Sequence, residues 1–106
     1  MGFLDLLGFG QKTATNLSDF VNRNAVVIDV RTVGEFQSGH IKGSKNIPLD
    51  TIFSKVDSIK NMKKPVIVCC RSGMRSRQAK SILEKSGIEV MNGGGWESLD
   101  QQLAKL

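Results

Sequence analysis

The sequence predicts an α/β domain built on a parallel sheet with crossover helices. Short apolar runs such as Val26-Val27-Ile28 and Val66-Ile67-Val68 alternate with longer amphipathic stretches, the pattern of strands covered on both faces by helices. At 106 residues the chain suits one domain with a single sheet-and-helix core. No internal repeat, low-complexity tract or linker divides it.

An apolar arm, residues 1–10, stands ahead of the domain proper, which is expected over residues 11–106. The arm lacks a basic leader and a small-residue cleavage site, Asp5 interrupts it, and Leu6 breaks the myristoylation pattern. Its Phe3, Leu4 and Leu7 face is expected to dock on the domain or to stay a mobile arm. A short strand is then expected near Gln11-Lys12-Thr13 and a helix over Leu17 to Asn22. The run Ala25-Val26-Val27-Ile28-Asp29 reads as a buried strand, followed by a helix over Val33 to Ser38 and a brief strand at Ser44-Lys45-Asn46-Ile47. Next come a helix over Thr51 to Ile59 and a strand over Pro65 to Cys69. The helix over Met74 to Ser86 carries Ala79, Ile82 and Leu83 at i, i+3 and i+4, with Gly87 where a C-cap belongs. A strand at Glu89-Val90-Met91 and a helix over Trp96 to Ala104 close the chain.

The segment Cys70-Arg71-Ser72-Gly73-Met74-Arg75-Ser76 therefore lies at the carboxyl end of a strand, where open parallel sheets place their ligands. Cysteine attacks as the thiolate, and at an ordinary pKa of about 8.5 only about three per cent is ionised at pH 7. Each tenfold gain in the thiolate fraction needs about 1.4 kcal/mol of preferential stabilisation. A helix N-terminus behind the thiol, with unpaired N–H groups, acts in that direction. The guanidiniums of Arg71 and Arg75 act likewise, and Ser72 and Ser76 add hydroxyl donors. Gly73 suits a loop whose amides turn inward, since it accepts positive φ and has no side chain in the way.

Composition narrows the classes. Fifteen basic against ten acidic residues give a net charge of +5, with lysines spread along the chain. Such a diffuse field attracts small anions, but neither aromatic interleaving nor a binding module accompanies it, so no nucleic-acid partner is expected. No apolar stretch reaches the length of a membrane span. The two cysteines are neighbours, which disfavours a disulfide and suggests reduced thiols in a cytoplasmic setting. One histidine and two adjacent cysteines make no ligand set, so neither a metal nor another cofactor is expected.

Four blocks resemble the rhodanese family in order and spacing: Val27-Ile28-Asp29-Val30-Arg31 with Glu35-Phe36, Gly39-His40-Ile41-Lys42-Gly43-Ser44, Asn46-Ile47-Pro48, and the Cys70 segment. A fifth, Gly93-Gly94-Gly95-Trp96, is similar to the glycine-rich turn before that family's last helix. The resemblance implies a three-layer α/β/α domain with a five-stranded parallel sheet, acting as a thiosulfate sulfurtransferase. Cys70 matches the family's nucleophile, which takes the outer sulfur of a donor such as thiosulfate and passes it to cyanide or a thiol acceptor. Arg71, Ser72, Gly73, Met74, Arg75 and Ser76 then form the substrate-binding loop. Two alternatives stay open: a module that relays sulfur to a protein partner or binds one without turnover, and a phosphatase or arsenate reductase of the same fold. Against the latter, the sixth position after Cys70 is Ser76, where those enzymes place their essential arginine.

The remaining candidates read as structural. Cys69 should point to the opposite face from Cys70 as a small core residue. His40 is expected to stabilise a turn, and Arg77 to lie on an exposed helix face. Arg31 and Glu35, four apart, suit an ion pair within a network that includes Asp29. Trp96 is expected to anchor the core beside the pocket rim.

Overall fold

The computed structural model describes residues 9–106, with side chains described from Asn16 onward; the arm expected at residues 1–10 lies, over residues 1–8, outside the described residues. Helix α1 spans Phe9–Asn22, strand β1 Val26–Asp29, helix α2 Val33–Ser38 and strand β2 Lys45–Asn46. A 3-10 turn at Leu49–Thr51 leads into α3, Ile52–Asn61. Strand β3 is Val66–Cys70, α4 Met74–Lys85, β4 Val90–Gly95 and α5 Trp96–Ala104.

All four strands run parallel, in the order β2-β1-β3-β4. Because side chains alternate along a strand, β3 feeds two separate cores. Val66, Val68 and Cys70 point into one, with Ile28 and Val30, Ile52 and Ile59 of α3, and Ala79 and Leu83 of α4. Ile67 and Cys69 point into the other, with Leu17 and Phe20 of α1, Ile41, Met91 and Leu99 of α5. Helices therefore cover both faces, which gives the three-layer α/β/α arrangement. Every residue of β3 is buried, and full burial of each Val or Ile side chain contributes about 1.5–3 kcal/mol. The strand that carries the thiol is thus the best-anchored element of the sheet.

The fifth strand expected at Gln11-Lys12-Thr13 is absent; these residues lie inside α1, and the sheet has four strands among the described residues. The reason is patterning. Leu17, Phe20 and Val21 recur at the helical period and pack on one core, while Gln11-Lys12-Thr13 offers no alternating apolar side chain for a sheet to bury. Two boundaries also move. Cys70 is the last residue of β3, and the Gly93-Gly94-Gly95 run is part of β4 rather than a turn. Pairing shifts there, from Val68 opposite Asn92 to Cys69 opposite Gly94, so Gly93 is the extra residue of a bulge.

A buried ion pair fixes the carboxyl end of β1. Asp29 and Arg31, 0% and 4% exposed, meet at 2.7 Å. Two more guanidinium bonds reach the carbonyls of Glu35 and Gly39, and the group lies 4.7 Å over the Trp96 ring. The expected Arg31–Glu35 ion pair does not form. Arg31 precedes the helix, whose N-cap is Thr32, so it cannot share a helical face with Glu35.

Candidate active site

The Cys70 sulfur sits at the floor of a loop that runs from the end of β3 into α4. Gly73 makes the loop possible by taking φ +101°, a left-handed conformation that carries little cost for glycine. That turn aims its N–H at the sulfur, with Gly73 N donating to Cys70 Sγ at 2.9 Å. Ser76 Oγ lies 3.4 Å from the same atom, one turn into the helix. Burial, at 1% exposure, pushes the Cys70 thiol up. The Ser76 hydroxyl and the N–H groups of Ser76, Ser72 and Gly73 outweigh that and hold it below its ordinary value. Hydrogen bonds from the protein thus favour the ionised form of this buried sulfur.

The two flanking arginines do less than their sequence position suggests. Arg75 is joined to Glu35 by two hydrogen bonds of 2.7 and 3.0 Å, while its charge still reaches the Cys70 sulfur through space. Arg71 is exposed and lines a separate hollow of about 220 Å³ with Arg31, Glu35, Ser38, Trp96 and Glu97. Ser72 is exposed, and Met74 is 62% exposed. A larger cavity, about 330 Å³, lies at the amino end of the sheet among Arg23, Lys60, Lys63 and Lys64. It does not include the thiol.

Cys69 contrasts with its neighbour. It is fully buried in the opposite core, and burial, reinforced by the Asp29 charge, pushes its thiol up to about 12. Adjacent thiols therefore differ in reactivity because the strand's alternation assigns them to different environments. His40 donates through Nδ1 to the Phe36 carbonyl at 2.8 Å and stacks on the Phe36 ring, the turn-holding role expected of it.

Sequence reasoning did not single out Asn92, whose side chain bonds Ser76, Gly73 and Gly94 beneath the loop. A signal existed. Val90 and Met91 alternate between the two cores, so Asn92 is a polar residue on the Cys70 side of the last strand.

A three-layer α/β/α domain with a buried, amide-bonded cysteine at the carboxyl end of a central parallel strand defines the class of this protein. This chain belongs to the rhodanese family: the Rhodanese-like domain matches residues 13–101. Its relatives include the thiosulfate sulfurtransferase PspE of Escherichia coli (strain K12), 35% identical over 74 residues, covering 68% of this chain and 71% of PspE. An uncharacterized protein of Bacillus subtilis (strain 168), YqhL, is 42% identical over 71 residues; the match covers 66% of this chain and 56% of YqhL. Among solved structures, a rhodanese with anions from E. coli superposes with a TM-score of 0.65 at 36% identity, covering 70% of this chain and 89% of that one.

Proposed function

We propose that this protein is a sulfurtransferase that carries sulfane sulfur on Cys70. In the first step the Cys70 thiolate attacks the outer sulfur of thiosulfate or a comparable persulfide donor. A sulfur–sulfur bond forms to Cys70, the donor's own sulfur–sulfur bond breaks, and the bonding pair departs with sulfite from thiosulfate or with the donor's thiolate from a persulfide. No proton moves, so the step needs no general acid. In the second step cyanide or a thiolate attacks the terminal sulfur, and the Cys70 thiolate is regenerated as the leaving group.

The observation that carries this reading is the Gly73 N–H at 2.9 Å from the Cys70 sulfur, joined by the Ser76 hydroxyl and neighbouring amides that favour the anion. The same donors suit a persulfide anion, in which the charge moves one atom outward. Ser72, Met74 and Arg75 of the same loop are the further substrate-binding residues of this reading, with Arg71 serving from the neighbouring hollow. The short loop supports sulfur over phosphoryl chemistry, since Ser76, at the sixth position, bonds the sulfur itself. The sulfurtransferase PspE among its relatives supports the same class, and two free cysteines suit a reducing, cytoplasmic setting.

Mass spectrometry after incubation with thiosulfate tests the proposal. A gain of one sulfur atom confined to Cys70, lost on adding cyanide, is the expected result. Thiocyanate formation that survives Cys70→Ser would overturn the assignment.

A further inference from the structure

Asn92 lies beneath the Cys70 loop on β4, opposite Val68 in register. Val68 belongs to the Cys70 core, and side chains at paired positions of a parallel sheet point to the same face. Asn92 Oδ1 accepts from Gly94 N at 2.8 Å and from Ser76 Oγ at 2.7 Å, and Nδ2 donates to the Gly73 carbonyl at 3.2 Å. The Gly94 N–H can only donate, so it decides which end of the amide is oxygen. Gly73 at 2.9 Å and the Ser76 hydroxyl at 3.4 Å both bond the Cys70 sulfur. Asn92 therefore holds both without bonding the sulfur itself.

Ser76 is fully buried, and its hydroxyl has one proton for two acceptors. With the sulfur protonated, S–H donates to Ser76 Oγ and Ser76 donates to Asn92 Oδ1. When the sulfur ionises, the hydroxyl turns its proton to the anion, and Oδ1 keeps the Gly94 N–H. Neither state strands a buried polar atom, which would otherwise cost about 1–3 kcal/mol.

We propose that Asn92 is a positioning residue for the Cys70 nucleophile: it pins the Gly73 carbonyl, one Cα away from the N–H that faces the sulfur, and takes the Ser76 proton whenever the sulfur does not need it. The proposal deepens the sulfur-transfer reading and rests on Cys70 as its nucleophile.

The test is the pH profile of Cys70 alkylation by iodoacetamide, read in the Cys69→Ala chain so that one thiol reports. Asn92→Leu removes the amide at similar volume. In a Ser76→Ala background only the pinning of Gly73 remains, and Asn92→Leu should raise the midpoint enough to cut the thiolate fraction about tenfold at pH 7. With Ser76 present, the hydroxyl released from Asn92 turns wholly to the sulfur and cancels part of that rise. Equal shifts in the two backgrounds, or none in Ser76→Ala, would overturn the proposal. A readout in the unmutated chain does not depend on the variants folding. The Asn92 side-chain amide resonances should follow pH with the same midpoint as Cys70 alkylation, and resonances indifferent to that ionisation would also overturn it. Alkylation uses no sulfur donor. A chain that refuses thiosulfate would sink the sulfur-transfer reading and leave the Asn92 result legible.

Discussion

Arg75 Nη1 and Nη2 meet Glu35 Oε1 and Oε2 one to one, at 2.7 and 3.0 Å. The same carboxylate accepts from Thr32 N at 2.9 Å, completing the capping box of α2. One side chain thus closes a helix and restrains a cation at the mouth of the thiol loop. Any substrate anion that uses Arg75 competes with Glu35 for it.

Glu35→Gln should separate these roles, because glutamine still reaches back to Thr32 in a capping box. With the guanidinium less engaged, the KM for thiosulfate is expected to fall, while unfolding at neutral pH loses the ion pair's contribution, which solvent screening of this part-exposed pair keeps modest. The Arg75 guanidinium, aided by the Thr32 amide, holds the Glu35 carboxyl down to about 2 from 4.5. Its stabilisation is therefore full above pH 4.5 and lost as pH falls toward about 2. Urea unfolding across that range should show a smaller acid-induced loss in the glutamine variant.

The Cys70 thiol, pushed up by burial but brought below its ordinary value by the Ser76, Ser72 and Gly73 donors, sets a second expectation. Alkylation and sulfur loading should rise together with pH and level off at a midpoint below that of a free cysteine. Folding favours the anion here, so the linked stability is present above the unfolded thiol's value and fades as pH falls through the folded one. Stopped-flow alkylation measures the midpoint, and a solution-like value would remove the basis for a resting thiolate.

Cys69→Ala should leave loading at Cys70 within about twofold, because its sulfur belongs to the opposite core. Loss of the buried sulfur is expected to cost about 1 kcal/mol in denaturant unfolding. With Cys69 raised from 9.0 to about 12, its contribution is complete below pH 9.0 and lost as pH climbs toward about 12. Alkaline unfolding of the alanine variant should accordingly be less steep in pH.

Gly95→Ala brings a Cβ within 2.8 Å of the Arg71 carbonyl oxygen. Backbone cannot yield as a flexible side chain does, so the loop must shift, at about 1–3 kcal/mol. Thermal unfolding should report the loss. The alkylation rate should fall with it, since Arg71 and Ser72 lead directly into the amides that face Cys70.

Local sequence by itself determined the layered α/β class, the parallel strands β1 and β3, the helix after the thiol and the opposed facing of Cys69 and Cys70. Those features follow from periods of two and 3.6 residues and from a glycine that accepts positive φ, influences that act over a few neighbours. Gln11-Lys12-Thr13 marks where that reading failed: a short polar run has no period of its own, and the helix continuing back from Leu17 claimed it. Tertiary structure alone decided which partners the site's polar groups found. Glu35 lies 40 residues from Arg75, and Asn92 reaches Gly73 and Ser76 because strand register and a bulge at Gly93 bring them together. Hydrogen-bond partners over such separations are chosen by how layers stack, and no run of adjacent residues encodes that choice.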